Sequence, residues 1–244
     1  MNGNITTLIF DLDDTLILTR DHYRESFESF VDLMEKLDFE RSEVTPVFDS
    51  FEMKNNASMG VSPARYPTSM KMTYEELCRD RGIEPDMRIT EDVEDAGWKI
   101  SRARYSSMPG ARDVVERLSE KFRLILLTRG EEKLQMRKVR ESGMENYFSK
   151  TYIVPQKNVE AFRRILALEN LDPGKTAVIG DSIPADINPS LKLGMTAVYI
   201  PYQLSGYSWP YEDNVRPEND KFITLVKLTD LVPLLLPGRK TRQD

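Results

Sequence analysis

The sequence feature that most constrains the fold is a short apolar run that ends in three acidic residues. Residues 5–10 are apolar or β-branched and too few for a helix, so they predict a buried β-strand. Asp11, Asp13 and Asp14 follow it within four positions. Like charges at the end of a buried strand are unfavourable unless a cation or strong hydrogen-bond donors lie beside them. The pattern is therefore typical of a functional site.

Further short apolar runs alternate with amphipathic helical patterns in the second half of the chain. The predicted strands are residues 124–128, 151–154, 176–179 and 196–200. Strands that alternate with helices form a parallel sheet with right-handed crossovers, so the predicted fold class is α/β with a doubly wound, Rossmann-like sheet. Such sheets bind ligands at the carboxyl ends of their strands. Four residues lie at or just after these predicted ends: Asp11, Thr128, Lys157 and Asp181.

The stretch between residues 20 and 105 shows only helical periodicity. The predicted helices lie at about 23–37, 44–51, 70–81 and 89–105. A turn at residues 106–110 leads back to the α/β part. The sequence therefore predicts two domains, a core of residues 1–16 and 108–244 and an all-helical insert of residues 17–107.

The C-terminal part is predicted to be irregular over residues 201–222, where prolines and aromatic residues alternate, and to lie over an edge of the sheet. A last strand end and a helix are predicted within residues 225–236, followed by a short basic tail.

Composition and charge argue against several classes of function. The net charge of −6 and the pI near 5.1 disfavour a general binder of nucleic acid or of anionic membranes. No apolar stretch approaches the roughly 20 residues of a membrane span, and no signal-peptide pattern is present, so we expect a cytoplasmic protein. A single cysteine excludes an internal disulfide and a cysteine-based zinc cluster. A single histidine makes multi-histidine chemistry hard to build. Catalysis is expected to depend on carboxylates, lysines and hydroxyls.

The Asp-Leu-Asp-Asp-Thr sequence at residues 11–15 resembles motif I of the haloacid dehalogenase superfamily, in its metal-dependent phosphatase form. Three further motifs follow in order. Thr128 is similar to motif II, Lys157 to motif III, and the Gly-Asp-Ser-Ile-Pro-Ala-Asp sequence at residues 180–186 to motif IV. The resemblance covers nearly the whole chain and implies that residues 17–107 form the helical cap found in many members.

The resemblance also implies catalytic and metal-binding roles. Asp11 would be the nucleophile that forms an aspartyl-phosphate, and Asp13 the acid/base. An aspartate is already ionised at pH 7 and needs no base to activate it. Because one anion attacks another, a Mg²⁺ ion is implied as the cofactor. Its ligands would be Asp11, the backbone carbonyl of Asp13, Asp181 and Asp186, the last through water or by orienting Lys157.

Substrate-binding roles follow from the same resemblance. The hydroxyl of Thr128 would bind the phosphoryl group, and Lys157 would balance its charge and that of the nucleophile. Gly130 allows an anion to approach the backbone closely. Arg129 is either a substrate contact or a solvent-facing residue. Lys150 is an alternative to Lys157 as the lysine of motif III.

The predicted function is Mg²⁺-dependent hydrolysis of a small phosphomonoester, with no nucleic-acid or membrane partner. Three alternatives stay open: a metal-free dehalogenase-type hydrolase, a receiver-like signalling module and a non-catalytic phosphate-binding module of similar fold. The second aspartate, Asp13, argues against the first alternative, and the large helical insert argues against the second. The complete set of motifs argues against the third. Candidate substrate contacts in the insert are His22, Arg65 and Tyr66.

Overall fold

A computed structural model describes residues 5–203, 215–219 and 222–236. This part of the chain divides into two compact units. One unit contains residues 5–18, 105–203, 215–219 and 222–236, and the other contains residues 19–104. Most of the irregular segment predicted at 201–222, and all of the basic tail, lie outside the described residues.

The first unit is built on a parallel sheet, in which the described residues form six strands. These are β1 (Thr7–Phe10), β2 (Arg123–Arg129), β3 (Lys150–Val154), β4 (Thr176–Gly180), β5 (Thr196–Tyr199) and β6 (Phe222–Thr224). Their order in the sheet is β3-β2-β1-β4-β5-β6, and every pair of neighbours is parallel. After β1, the chain therefore adds β2 and β3 on one side of that strand and then returns to add β4, β5 and β6 on its other side. This order confirms the predicted doubly wound α/β fold.

Strand β1 is central because its apolar residues are fully buried: Leu8, Ile9 and Phe10 have no exposed surface. In the register of the sheet, Phe10 lies between Leu126 of β2 and Ile179 of β4. The residues that follow these three strands therefore meet at one edge of the sheet.

The second unit consists of helices in its described part, which confirms the predicted helical insert after the first strand. They are α1 (Arg20–Glu35), α2 (Arg41–Met59), α3 (Arg65–Asp80) and α4 (Met87–Arg102). Helix α3 begins five residues before its predicted start, because Pro67 fits the first turn of a helix and does not interrupt it. Buried aromatic and aliphatic side chains form the core of this unit, including Phe30, Phe48 and Met70.

Shorter helices precede, connect or follow the strands β2 to β6 of the first unit. They are α5 (Ala111–Ser119), α6 (Glu132–Ser142), α7 (Val159–Leu168), α8 (Asn188–Lys192) and α9 (Leu231–Leu235). Helix α6 ends at Gly143 in the left-handed region, as its sequence predicts. The prediction of a strand end within residues 225–236 is wrong, because β6 ends at Thr224 and α9 follows after a short 3₁₀ turn. A three-residue strand carries too little pattern to be located from sequence.

One charged pair lies in the interior of the helical unit. Glu52 is fully buried and Arg65 is 3% exposed, and the Nη2 atom of Arg65 lies 2.8 Å from Oε1 of Glu52. Ser69 donates a hydrogen bond to the other carboxylate oxygen at 2.9 Å, and Arg65 donates one to Asn56 at 2.7 Å. Burial raises the pKa of Glu52, and the charge of Arg65 opposes this. Arg65, a candidate substrate contact from sequence, is thus held within the helical unit.

The other two candidate contacts also lie in this unit. Tyr66 is 2% exposed, and its ring centroid lies 5.0 Å from that of Tyr23 and 5.1 Å from that of Phe48. His22 is partly exposed in α1, with its Nδ1 atom 3.8 Å from Glu25. Their role as substrate contacts stays a prediction.

The variant Arg65→Met should lower the free energy of unfolding by about 3–5 kcal/mol near neutral pH, because Glu52 stays buried without its cation. Burial already raises the pKa of Glu52 from its ordinary value of 4.5, so the folded state binds a proton more readily than the unfolded state. The loss should be complete above the raised pKa and should shrink as the pH falls through it. Urea unfolding at about pH 5 and about pH 8 measures this difference.

The matched control is the double variant Glu52→Met/Arg65→Met, which removes both charges and should recover most of the lost stability. If Arg65→Met unfolds at the wild-type urea concentration at both pH values, the buried pair has no role in stability.

Candidate active site

The predicted site residues follow strands that end at the same edge of the sheet. Asp11 comes directly after β1, and Thr128 is the last residue but one of β2. Lys157 follows β3 by three residues, and Asp181 comes directly after β4. Lys150, the alternative to Lys157, is exposed at the start of β3 and so lies at the opposite edge.

The side chain of Asp11 is held on both of its oxygens. Thr15 donates a hydrogen bond to Oδ2 at 3.0 Å, and the ammonium group of Lys157 donates to Oδ1. The same ammonium group donates to Oδ1 of Asp186 at 2.6 Å. Asp11, Lys157 and Asp186 are 5%, 7% and 1% exposed. One buried lysine thus joins two buried carboxylates.

Burial and charge compete in this cluster. Burial raises the pKa of Asp11 to about 7, although the positive charge of Lys157 opposes the shift. Burial alone would lower the pKa of Lys157, but the charges of Asp11 and Asp186 outweigh it and raise that pKa above its ordinary value. Lys157 therefore stays positively charged, while Asp11 needs more positive charge around it to be fully ionised at neutral pH.

Asp186 is positioned by the loop that follows β4. Ser182 caps a single π-helical turn, Ile183–Ile187, by accepting a hydrogen bond from the backbone of Ala185 at 3.4 Å. The backbone N–H of Ser182 donates to Oδ2 of Asp186 at 3.2 Å. At Gly180, an added Cβ would lie 2.3 Å from Cγ of Asp186. Only glycine at this position leaves room for the Asp186 carboxylate.

Three acidic residues could hold a metal ion. Carboxylate oxygens of Asp11, Asp181 and Asp186 all lie within 4.8 Å of one another. Two of these carboxylates, Asp11 and Asp186, share the single ammonium group of Lys157, so this buried group has an excess of negative charge. Oxygen ligands suit a hard divalent cation, and a cation would supply the missing charge. The residues therefore fit a divalent metal. The predicted ligation through the backbone carbonyl of Asp13 stays a prediction.

The side chain of Asp13 is held by two residues of α6 that the sequence did not reveal. Nζ of Lys138 donates to Oδ1 of Asp13 at 2.7 Å, and Nε2 of Gln135 donates to Oδ2 at 2.8 Å. Gln135 also donates to the hydroxyl of Thr128. Gln135 and Lys138 are 2% and 5% exposed. Their spacing of three residues places them on one face of the helix, and this spacing is the only sign of them in the sequence. It does not single them out, because polar residues on a helix usually face solvent.

The remaining predicted positions lie around the end of β2. Gly130 has a φ of 154°, and an added Cβ there would lie 2.8 Å from Cγ of Gln135. Glycine at this position therefore leaves room for Gln135. Arg129 is the last residue of β2 and is partly exposed. Asp14 is 5% exposed and has a φ of 60°, a conformation that aspartate tolerates better than most residues.

The model of the haloacid dehalogenase-like hydrolase family matches residues 5–189, which is most of the chain. The chain belongs to the haloacid dehalogenase-like hydrolases. A member of this family therefore has the sheet order, the helical insert and the acidic cluster after β1 and β4 that are described above. No helix in the described part of the chain is both long and apolar enough to span a membrane.

Similar proteins include both curated relatives and solved structures. The N-acylneuraminate-9-phosphatase of Homo sapiens is 23% identical over 205 residues, which cover 80% of this chain and 82% of that protein. A haloacid dehalogenase-like family hydrolase from Xanthomonas campestris has a TM-score of 0.78 at 22% identity, and the match covers 96% of this chain and 93% of that one.

The hydrolase YfnB of Bacillus subtilis, in a crystal structure bound to magnesium, has a TM-score of 0.65 at 18% identity, with 96% of this chain and 99% of that one covered. At these identities the solved structures show a shared fold. In this chain, the candidate for a divalent metal site is the cluster of Asp11, Asp181 and Asp186.

The variant Gly180→Ala should disturb the site through Asp186 alone. The new Cβ would overlap the Asp186 carboxylate, so that side chain must leave the position in which it binds Lys157. Overpacking of this kind lowers the free energy of unfolding by about 1–3 kcal/mol. A divalent cation that stabilises the wild type should also stabilise the variant less, because one carboxylate of the cluster is displaced. Thermal unfolding with and without added cation measures both effects.

Gly174→Ala is the matched control, because the nearest atom to its Cβ is an Asp172 oxygen at 3.3 Å in an exposed turn. This variant should behave like the wild type. A Gly180→Ala protein with the full cation response would contradict the assignment of Asp186 to the cluster.

Proposed function

We propose that this chain hydrolyses a small phosphomonoester through an aspartyl-phosphate on Asp11, with Mg²⁺ as its cofactor. The observation that carries the proposal is the Asp11 carboxylate, which is buried at the end of the central strand and bonded to Lys157 and Thr15. Membership of a hydrolase family supports the reaction class. The cluster of Asp11, Asp181 and Asp186 supports metal-dependent chemistry over the metal-free dehalogenase alternative.

In the first half-reaction, a carboxylate oxygen of Asp11 attacks phosphorus, and the bond from phosphorus to the leaving oxygen breaks. Asp13 gives its proton to that leaving oxygen, which departs as an alcohol. The hydroxyl of Thr128 and the ammonium group of Lys157 bind the phosphoryl oxygens, and the backbone at Gly130 lies close to them. Each group would interact more strongly as negative charge develops on the phosphoryl group.

In the second half-reaction, water attacks the phosphorus of the aspartyl-phosphate, and Asp13 takes the proton of the attacking water. The bond between phosphorus and Asp11 breaks, which releases inorganic phosphate and restores the carboxylate. A Mg²⁺ ion held by Asp11, Asp181 and Asp186, with the backbone carbonyl of Asp13, would supply positive charge where the two anions meet.

We propose a phosphorylated sugar as the substrate class. The support is that three mammalian relatives are N-acylneuraminate-9-phosphatases. We also propose that residues 17–107 act as a cap domain that selects the substrate, because all of the proposed chemistry lies outside them. A panel of sugar phosphates, polyol phosphates and nucleotides, assayed at equal concentration, tests the proposed class. Preference for a nucleotide would contradict it.

The variant Asp11→Asn should lose about 10⁴-fold or more of turnover while it keeps its fold, because the nucleophile of the whole reaction path is removed. Release of inorganic phosphate measures activity, and thermal unfolding checks the fold. Asp14→Asn is the matched control: it changes the neighbouring buried acid, and asparagine tolerates the same backbone conformation. Wild-type turnover by Asp11→Asn would remove Asp11 from its role.

Removal of divalent metal should abolish activity, and added Mg²⁺ should restore it, because the excess charge of the acidic cluster needs a counter-cation. In Asp181→Asn, a higher Mg²⁺ concentration should be needed for half of the maximal rate. Titration of Mg²⁺ into chelator-treated protein measures this requirement. Full activity after exhaustive chelation would revive the metal-free alternative.

A further inference from the structure

Asp13 is bound to two buried residues whose purpose the four motifs do not explain. Both of its carboxylate oxygens accept a hydrogen bond from α6, Oδ1 from Lys138 at 2.7 Å and Oδ2 from Gln135 at 2.8 Å. The Asp13 side chain itself is 26% exposed, whereas that of Lys138 is 6% exposed. The donors are therefore more buried than the carboxylate that they bind, which is partly exposed.

The burial of Lys138 argues against an incidental surface ion pair. A lysine is rarely buried unless it is paired, because removing an ammonium group from water is costly. Its ammonium nitrogen also lies 4.6 Å from the ring centroid of Tyr105, which is itself 5% exposed. An aromatic face at this distance attracts the ammonium group and limits the positions it can adopt. Lys138 is thus fixed in place with its charge directed at Asp13.

Gln135 links Asp13 to the end of β2. Its amide group donates to Asp13 and to the hydroxyl of Thr128, so one side chain connects two predicted site residues. Gly130 leaves the space that Gln135 occupies. The first turn of α6 is fixed as well, because Glu131 accepts hydrogen bonds from two backbone N–H groups of that turn. The donors of Gln135 and Lys138 therefore lie on a rigid element.

We propose that Gln135 and Lys138 are positioning residues that hold the Asp13 carboxyl group in the orientation it needs for proton transfer. The proposal rests on the proposed acid/base role of Asp13. It implies that the loss of either residue slows the steps in which Asp13 moves a proton. The attack of Asp11 on phosphorus, which depends on Lys157 and Thr128, is left intact.

The test uses two substrates that differ in their need for a proton. An alkyl phosphate releases an alkoxide, which must be protonated as it leaves, whereas an activated aryl phosphate releases a stable phenolate that needs no proton. In Lys138→Met, the single-turnover rate with the alkyl phosphate should fall by about 10- to 100-fold, with KM within about twofold of wild type. The pre-steady-state burst of phenolate from the aryl phosphate should keep its rate.

Two further variants test the same point independently. Lys138→Arg keeps a buried cation within reach of Asp13 and should restore part of the alkyl rate. Gln135→Leu removes the contact to Oδ2 of Asp13 together with the contact to the hydroxyl of Thr128, so its effect is taken as the ratio of the alkyl rate to the aryl rate, which should fall as it does in Lys138→Met. Lys133→Met, at an exposed position of the same helix, is the matched control and should behave like the wild type.

A double-mutant cycle with Asp13→Asn shows whether Lys138 acts through Asp13. If it does, Lys138→Met should cause no further loss in the Asp13→Asn protein. A full additional loss would overturn the proposal, and so would an equal loss on both substrates or no loss on either. Should Lys138→Met fail to fold, Lys138→Arg and Gln135→Leu decide the question by the same comparison.

Failure of the proposed function gives a different result. If Asp13→Asn hydrolyses the alkyl phosphate at the wild-type rate, Asp13 is not the acid/base, whatever Lys138 does. If Asp13→Asn is inactive while Lys138→Met and Gln135→Leu are fully active, only the positioning proposal is wrong.

Discussion

The buried ammonium group of Lys157, which bonds to both Asp11 and Asp186, is the interaction on which the site depends. It joins the end of the central strand β1, the segment after β3 and the loop after β4. Without this cation, two buried carboxylates would face each other in a region that burial already makes unfavourable for charge. Even with it, burial raises the pKa of Asp11 to about 7, and the excess of negative charge from Asp186 and Asp13 adds to that rise. The same excess makes the cluster suited to a divalent cation.

Asp11 and Asp13 of the first motif are each bound by a lysine of their own. Asp11 is bound by Lys157, and Asp13 is bound by Lys138 together with Gln135. Both lysines are buried and come from segments next to neighbouring strands, β3 and β2. The doubly wound sheet makes this arrangement possible, because parallel strands bring the segments that follow them to one edge. In the proposed mechanism, one pair serves the attack on phosphorus and the other serves the transfer of protons.

Much of the fold and part of the site follow from the sequence. Buried parallel strands are apolar throughout, so β1, β2 and β4 are recognisable, and the acidic residues after them stand out by contrast. Lys138 and Gln135 could not be found in this way, because their partner Asp13 is more than 120 residues distant and polar residues on a helix usually face solvent. The same reason hides the pairing of Arg65 with Glu52, since only the packing of α2 against α3 brings these two charges together.

The most direct test of the proposed mechanism is to trap the covalent intermediate. Borohydride reduces an aspartyl-phosphate to homoserine, so protein quenched during turnover, reduced and digested can be read by peptide mass spectrometry. The expected result is homoserine at position 11 in the presence of substrate and Mg²⁺, and unmodified Asp11 when substrate is left out. Homoserine at another acidic position would contradict nucleophilic catalysis by this residue. So would an unmodified Asp11 in protein that is quenched during turnover at saturating substrate.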